Sequence, residues 1–264
     1  MVLSGWRTAP RLVHTSAMGR LDQELVARGL CHSREKARRA IMAGQVRVDG
    51  QLARKPSDSI KPGALLEIDT PEKYVSRGGL KLERGLEHFG VDPAGMTALD
   101  LGASTGGFTD CLLQRGAARV YAVDVGQGQL AWKLRRDPRV VVLEKTNARE
   151  LTPAKFGPDF SGADLVVIDC SFISLRKILP AAIALLRPSG KIVALIKPQF
   201  EAGKAEADKG AGVIRDPKIH RRVLEELAAF VAAQPALRWR GTTESPLLGP
   251  AGNREFLALI EKTG

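Results

Sequence analysis

The sequence is poor in cysteine and has no long apolar run. Its three cysteines, Cys31, Cys111 and Cys170, form no Cys-x-x-Cys pair, which argues against a zinc site and against a disulfide framework. Chains without disulfides are typical of reducing compartments, so we expect a cytoplasmic protein that carries no metal. The longest apolar run, residues 178–186, is far too short to cross a bilayer. A membrane-spanning or pore-forming protein is therefore not expected.

Acidic residues are also scarce relative to basic ones. The 264 residues include 40 Lys and Arg against 29 Asp and Glu, which gives a formal net charge of +11. A polyanionic partner explains such an excess, because cations gain affinity by releasing counterions from phosphates. A basic surface without a dedicated partner explains it equally well, so the positions of the charges must decide.

The first 17 residues contain no acid but include Arg7, Arg11 and His14. Organelle transit peptides share this composition. Met18, however, stands directly before the patterned sequence. We therefore interpret residues 1–17 as a flexible extension or an overcalled start, outside the fold.

A glycine-rich segment at residues 100–110 reads Asp-Leu-Gly-Ala-Ser-Thr-Gly-Gly-Phe-Thr-Asp. It follows an apolar run and precedes a helical pattern, which predicts the strand, tight turn and helix N-terminus of a nucleotide-binding elbow. The glycine spacing departs from the dinucleotide fingerprint and favours another nucleotide-like cofactor. The candidate cofactor-binding residues of this segment are Gly102, Ala103, Ser104, Gly106, Gly107 and Phe108.

Strands and helices alternate from this segment onward, which predicts an α/β fold whose mostly parallel sheet has helices on both faces. Strands are expected at residues 98–101, 119–123, 140–143, 164–169 and 191–197.

Four polar residues lie at or just beyond the carboxyl ends of these strands, where an open α/β sheet binds its ligand. Asp124 lies about 20 residues after the loop and is placed to accept hydrogen bonds from ribose hydroxyls. Asn147 caps the next element or lines an adenine pocket. Lys197 ends a buried strand, which is costly unless the lysine is paired or used, and Asp169 is the expected partner.

The pattern of the N-terminal part predicts two helices, the second capped by Ser33. It also predicts a strand at residues 46–48 that is followed by an Asp-Gly turn. Residues 28–47 contain six basic residues against a single acid, Glu35, whereas an ordinary solvated face mixes charge signs. This pattern favours RNA contact. The candidate RNA-binding residues are Arg20, Arg34, Lys36, Arg38, Arg39 and Arg47.

Arg20-Leu21-Asp22, Ser33-Arg34 and residues 40–50 resemble an S4 RNA-binding domain. The remainder resembles the TlyA family, which joins an S4 domain to an FtsJ-like methyltransferase domain. The blocks that carry this resemblance, in the family's order, are residues 74–82, 102–110, 123–126, 169–175, 197–201, 245–247 and 252–255. The implied domains are residues 18–68 (S4) and 74–264 (methyltransferase), joined by a linker at 69–73.

The resemblance implies a Rossmann-like methyltransferase with a mostly parallel sheet, behind a small α+β S4 domain. It implies S-adenosylmethionine as cofactor, bound also by Asp124, Asn147 and Asp169, and ribosomal RNA or ribosomal subunits as partner. The implied reaction is methylation of a ribose 2′-hydroxyl, of cytidine in 23S rRNA and in some members also in 16S rRNA. The implied catalytic residues are Lys81, Asp169, Lys197 and Glu255.

Taken as isolated residues, two members of that set look unremarkable. Lys81 reads as an exposed residue on a helix, and Glu255 as a solvated position in a strand, beside Phe256 and Leu257. The chemistry nevertheless needs such a set, because a ribose hydroxyl is a poor nucleophile that needs a proton acceptor or a stabilised alkoxide. The alternative function is a non-catalytic RNA-binding factor for ribosome assembly that retains the fold.

Overall fold

The computed structural model describes residues 6–8, 18–31, 33–69, 73–249 and 251–263. The chain divides into two compact units, Met1–Glu72 and Lys73–Gly264, called here the N-terminal and C-terminal units. The predicted linker at 69–73 falls at this division, and its residues 70–72 lie outside the described residues.

The N-terminal unit packs two helices against short strands. The elements are α1 (Leu21–Ala27), α2 (Arg34–Met42), β1 (Trp6–Thr8), β2 (Gly19–Arg20), β3 (Val46–Val48), β4 (Gln51–Leu52), β5 (Ser59–Ile60) and β6 (Leu66–Asp69). Among the described residues of this unit, one sheet has the order β1-β6-β3-β4 with antiparallel neighbours, and β2 pairs with β5. Within the segment assigned to an extension, β1 thus joins a sheet, while residues 1–5 and 9–17 lie outside the described residues.

The cap predicted for the second helix is present. Ser33 Oγ accepts a hydrogen bond of 3.3 Å from the Lys36 amide and satisfies one of the free N–H groups of the first turn of α2. The apolar faces of both helices meet in one core, in which Leu25, Ile41 and Leu66 are buried. Arginines at the helix starts are left on the surface of this unit.

The C-terminal unit is built on a mixed sheet. Its helices are α3 (Gly78–Phe89), α4 (Gly107–Gln114), α5 (Trp132–Arg135), α6 (Leu179–Leu185), α7 (Pro198–Glu201), α8 (Lys204–Lys209) and α9 (Pro217–Ala232). Its strands are β7 (Thr97–Leu101), β8 (Arg119–Val123), β9 (Val140–Leu143), β10 (Ala163–Ile168), β11 (Leu186–Ile196), β12 (Leu237–Glu244) and β13 (Phe256–Lys262).

The described strands form one seven-stranded sheet in the order β12-β13-β11-β10-β7-β8-β9. Strands β7 to β11 run parallel, and β12 and β13 are antiparallel to their neighbours. Alternate residues of one strand enter opposite layers: Val166 and Ile168 pack with α6 and α9, and Leu165 and Val167 with α3 and α4. The sheet is buried on both faces, which explains its nearly continuous apolar strands.

The five strands expected from the sequence are all present, within a few residues of their predicted limits. The largest difference is β11, which begins at Leu186 rather than at residue 191. Because β7, β8, β10 and β11 are parallel, their carboxyl ends lie at one edge of the sheet. The glycine-rich loop, Asp124, Asp169 and Lys197 are therefore brought to that edge.

Candidate functional site

The glycine-rich loop turns sharply between β7 and α4. Gly102 has φ +86° and Gly106 has φ +96°, a left-handed conformation that side chains disfavour. A Cβ on Gly102 would lie 2.7 Å from the carbonyl oxygen of Asp169, so the loop and the end of β10 are in direct backbone contact. A Cβ on Gly107 would lie 2.9 Å from the Gly79 amide nitrogen. These two close approaches require glycine.

The loop borders two cavities at the carboxyl edge of the sheet. The larger, of about 1190 Å³, is lined by Asp124 and Asn147 together with Gly102 and Ser104. The Asp124 carboxylate accepts hydrogen bonds from the amides of Ser104 (2.8 Å) and Gly126 (2.7 Å), which fix its orientation. Asn147 fits both sequence interpretations: its Oδ1 accepts from the Arg149 amide at the start of a 3₁₀ turn, and it also lines the cavity.

The smaller cavity, of about 580 Å³, brings together the four charged residues that the family resemblance indicated. Lys81, Asp169, Lys197 and Glu255 all line it, as do Gly102, Ala103, Gly107 and Phe108 of the loop. Lys81 Nζ lies 2.5 Å from Glu255 Oε2, and Lys197 Nζ lies 2.6 Å from Asp169 Oδ1. The set thus consists of two ion pairs in one cavity.

Secondary structure explains how such distant residues meet. Lys81 lies in the first turn of α3, which packs on the sheet, and Glu255 directly precedes β13. Because β13 runs antiparallel to β11, the start of β13 lies beside the end of β11, where Lys197 follows. Lys81 is 8% exposed and Glu255 is 1% exposed. The residue-by-residue interpretation of these two positions as solvated was therefore wrong.

The loop after Asp169 adds side chains that sequence reasoning did not single out. Ser171 Oγ accepts a hydrogen bond of 2.8 Å from Lys197 Nζ. Phe172 has φ +64° and is 89% exposed, with its ring 5.1 Å from that of Phe200. Both rings line both cavities. The signal for these residues lay in the quoted blocks 169–175 and 197–201, whose polar and aromatic residues follow strand ends.

Glu201 holds the far end of the same loop. Its carboxylate accepts hydrogen bonds from Ser174 Oγ (2.6 Å) and from the Leu175 amide (2.7 Å). Burial raises the pKa of Glu201. The near end is held by β7, because the Asp169 amide and Cys170 Sγ both donate to the Leu101 carbonyl. Residues 170–174 are thus anchored on two sides.

Asp100 lies beneath the site, in β7, with no solvent exposure. Burial raises its pKa to about 7, and the nearby charge of Asp169 acts in the same direction. Thr109 Oγ1 donates a 2.6 Å hydrogen bond to its Oδ2. Burial likewise raises the pKa of the Cys170 thiol to about 12, so this cysteine is not a thiolate nucleophile.

The candidate RNA-binding residues of the N-terminal unit differ in their contacts. Arg20 and Arg34 both donate to the carboxylate of Asp22, and Arg39 pairs with Glu35 at 2.5 Å. Arg47 donates to the Gly50 carbonyl. Lys36 and Arg38 extend from exposed positions of α2. All six lie in the N-terminal unit.

Two absences hold for the part of the chain that the structure describes. No group of three or more His, Cys, Asp or Glu side chains is arranged to hold a metal ion. None of the helices has the length and apolar character that crossing a membrane requires.

Comparison with known proteins agrees with this geometry. Residues 74–262 match the FtsJ-like methyltransferase family, and residues 19–66 match the S4 domain. The 16S/23S rRNA (cytidine-2′-O)-methyltransferase TlyA of Mycobacterium tuberculosis is 51% identical over 241 residues, 90% of this chain and 87% of the relative. Hemolysin A of Brachyspira hyodysenteriae is 41% identical over 239 residues, 90% of this chain and 98% of the relative.

A solved structure is also similar to this chain over most of its length. The Streptococcus thermophilus protein described as a hemolysin is 45% identical, with a TM-score of 0.69 over 94% of this chain and 90% of that one. The chain therefore belongs to the family of FtsJ-like methyltransferases and carries an S4 domain before its methyltransferase domain.

Proposed function

We propose that this protein is an S-adenosylmethionine-dependent methyltransferase that modifies a ribose 2′-hydroxyl of ribosomal RNA. The observation that carries the proposal is the shared cavity in which Lys81, Asp169, Lys197 and Glu255 stand beside the glycine-rich loop. Two buried lysines paired with two carboxylates are expensive to maintain in a folded chain. Stabilising a developing oxyanion gives that arrangement a use.

The residues present fit the cofactor. The cavity of about 1190 Å³ is large enough for a nucleoside and the amino acid attached to it. Each Asp124 oxygen accepts one backbone hydrogen bond and keeps a lone pair for a ribose hydroxyl. Asn147 lines the same cavity, as do the apolar side chains of Ala148 and Ile178, which suit a purine ring. When bound, S-adenosylmethionine supplies a methyl group on a positively charged sulfur.

The two lysine–carboxylate pairs bind the ribose 2′-hydroxyl and accept its proton. An ammonium group has three N–H donors. Lys197 gives one of them to Ser171 Oγ and forms an ion pair with Asp169, so it keeps a donor for the 2′-oxygen, where negative charge develops during transfer. The carboxylates of Asp169 and Glu255 are the acceptors within reach of the proton that the hydroxyl loses. They also keep the two lysines from forming an uncompensated cationic cluster.

The relatives support the choice of nucleotide and of RNA. The Mycobacterium tuberculosis relative is named for cytidine 2′-O-methylation of 16S and 23S rRNA. With the S4 match and the net charge of +11, this supports cytidine in 23S rRNA as substrate, with 16S rRNA as a second target. The sugar–phosphate backbone is the expected contact of the N-terminal unit.

The test is methyl transfer from radiolabelled S-adenosylmethionine to purified 30S and 50S subunits from a strain without the modification. Label in a 2′-O-methylated nucleoside after nuclease digestion supports the proposal, and the subunit that carries it identifies the rRNA. Tight binding of both subunits without label would overturn it in favour of the non-catalytic assembly factor. Lys155→Ala, an exposed lysine outside both cavities, is the matched control for Lys197→Ala in the same assay.

A further inference from the structure

One buried carboxylate joins two of the exposed arginines of the N-terminal unit. Asp22, the second residue of α1, has no solvent exposure. Its Oδ1 accepts from Arg20 Nε at 3.1 Å, and its Oδ2 accepts from Arg20 Nη2 at 3.2 Å and from Arg34 Nη2 at 3.1 Å. Arg20 directly precedes α1 and Arg34 begins α2. Asp22 therefore ties together the starts of both helices.

The two guanidinium groups keep most of their hydrogen-bonding capacity. A guanidinium has five N–H donors; Arg20 gives two of them to Asp22 and Arg34 gives one. Their side chains are 47% and 55% exposed. Two arginines share one carboxylate, so the cluster carries a net positive charge with free donors directed away from Asp22.

The other ion pairs of this unit have a different character. Arg28 pairs with Glu24, but its side chain is only 6% exposed, and it also donates to the Ala64 carbonyl. That arginine is part of the packing. Arg39 pairs with Glu35 one to one, with both side chains mostly exposed, so the pair is neutral and solvated. Among these pairs, the Asp22 cluster combines a buried anchor with exposed, unneutralised cations.

We propose that Asp22 is a positioning residue that presents Arg20 and Arg34 as a two-guanidinium clamp for the phosphates of an RNA backbone. The inference rests on the proposed function and specifies how its RNA surface is built. Arginine matches phosphate bidentately, and a guanidinium whose plane is already fixed loses less side-chain entropy on binding. Arg20 acts through its Nε fork, which sets the plane, and Arg34 is fixed by one contact.

If Asp22 positions the two arginines, its loss should weaken RNA binding, whereas the loss of a negative charge by itself should strengthen RNA binding. Asp22→Asn and Glu35→Gln each remove one negative charge from the same unit. Counterion release alone would tighten RNA binding equally in both variants. We expect Glu35→Gln to bind purified 50S subunits as well as or better than wild type. We expect Asp22→Asn to bind roughly tenfold more weakly, with a log–log salt slope smaller by roughly 2 between about 50 and 200 mM salt.

Calorimetry of the full chain shows whether Asp22→Asn unfolds the N-terminal unit. If it does, two further variants test the clamp. Arg20→Lys and Arg34→Lys keep the charge and leave Asp22 in place, but a lysine lacks the fork. Each is expected to raise the KM for 50S subunits roughly threefold to tenfold at unchanged kcat. Arg54→Lys, at another exposed position of the unit, is the control and should leave the KM unchanged.

The outcomes separate this inference from the proposed function. Equal or tighter binding by Asp22→Asn, or unchanged KM values in both lysine variants, would overturn the clamp. If Arg20→Ala and Arg34→Ala also bind 50S subunits normally, the assignment of the N-terminal unit as an RNA surface fails with it. Methyl transfer that persists in all these variants leaves the catalytic proposal standing.

Discussion

Asp22 in the N-terminal unit and Asp100 in the C-terminal unit are both aspartates without solvent exposure, yet their pKa values move in opposite directions. Hydrogen bonds from Arg20 lower the pKa of Asp22, with Arg34 acting in the same direction. Burial raises the pKa of Asp100 to about 7, because its partner is the neutral Thr109 hydroxyl and the nearest charges are carboxylates. Burial by itself does not decide ionisation; the partners do.

The cations of the two units show the same contrast. In the C-terminal unit, Lys81 and Lys197 are buried and each has its own carboxylate. In the N-terminal unit, Arg20 and Arg34 are half-exposed and share one. A buried paired charge acts on one atom of a substrate, whereas exposed charges act together on a polyanion. Substitutions of the buried lysines in the C-terminal unit should therefore give all-or-none effects on turnover. Substitutions of the exposed arginines in the N-terminal unit should give graded, salt-dependent effects on RNA binding.

The largest effect is expected from Lys197→Ala. We expect methyl transfer to fall by about 10²–10⁴-fold or more, because the donor facing the reacting oxygen is lost. Affinities for S-adenosylmethionine and for 50S subunits should stay within a few-fold of wild type. Single-turnover methylation and titration calorimetry measure these quantities. Near-normal turnover would contradict the assignment of Lys197.

Glu255→Gln is expected to destabilise the C-terminal unit by about 3–5 kcal/mol, since it leaves the buried Lys81 ammonium without its counter-charge. The double variant Lys81→Met/Glu255→Gln should lose less, because it removes both charges. Urea unfolding of the full chain, followed through the C-terminal transition, gives both values. A double variant at least as unstable as Glu255→Gln alone would show that the two buried charges are not coupled.

Asp100 makes stability depend on pH. Its folded pKa of about 7 lies above the unfolded value, so the folded state holds a proton that the unfolded state has released. Stability therefore falls as pH rises through this interval, by roughly 2–3 kcal/mol between about pH 5 and 8. Asp100→Asn should lack this loss, which unfolding of both proteins at several pH values measures. Parallel pH profiles would refute it.

Asp22 should show the opposite dependence. Its lowered pKa contributes stability that is present above the unfolded value and is lost as pH falls through the folded one. Acid unfolding, followed through the transition of the N-terminal unit, measures this pH dependence. A stability that rises on acidification would contradict it.

The smallest effect is expected from Arg38→Ala. Arg38 is exposed on α2, so its loss should weaken binding of 50S subunits only a few-fold and reduce the salt slope by roughly 1. Turnover at saturating subunits should not change. Arg54→Ala is the matched control. A large loss of kcat in Arg38→Ala would contradict the expectation that the N-terminal unit affects binding and the C-terminal unit affects turnover.

Local features of the fold were accessible from the sequence. The Ser33 cap, the Asp-Gly turn after β3 and the strands of the parallel sheet each depend on residues close together in the chain, and all are confirmed. Asp124, Asp169 and Lys197 could be placed at one edge because parallel strands align their carboxyl ends. The pairing of Lys197 with Asp169, expected from the cost of a buried lysine, is also present.

The pairing of Lys81 with Glu255 had no such local signal. Their separation of 174 residues is bridged by α3 packing on the sheet and by β13 running antiparallel beside β11. Family resemblance named both residues, but their own neighbours suggested solvated positions. The catalytic and RNA-binding roles of the named residues stay predictions that the experiments above address.

The glycine-rich loop, the strand–helix alternation and the basic N-terminal part were determined by the sequence, because backbone conformation, periodicity and net charge are local or additive properties. The tertiary structure alone decided which charges are buried, which share a partner and which remain free. It made Asp22 an ion held between two arginines and Asp100 a carboxyl whose proton is retained. Ionisation and orientation depend on distances of about 3 Å between residues far apart in the chain, and only the fold sets those distances.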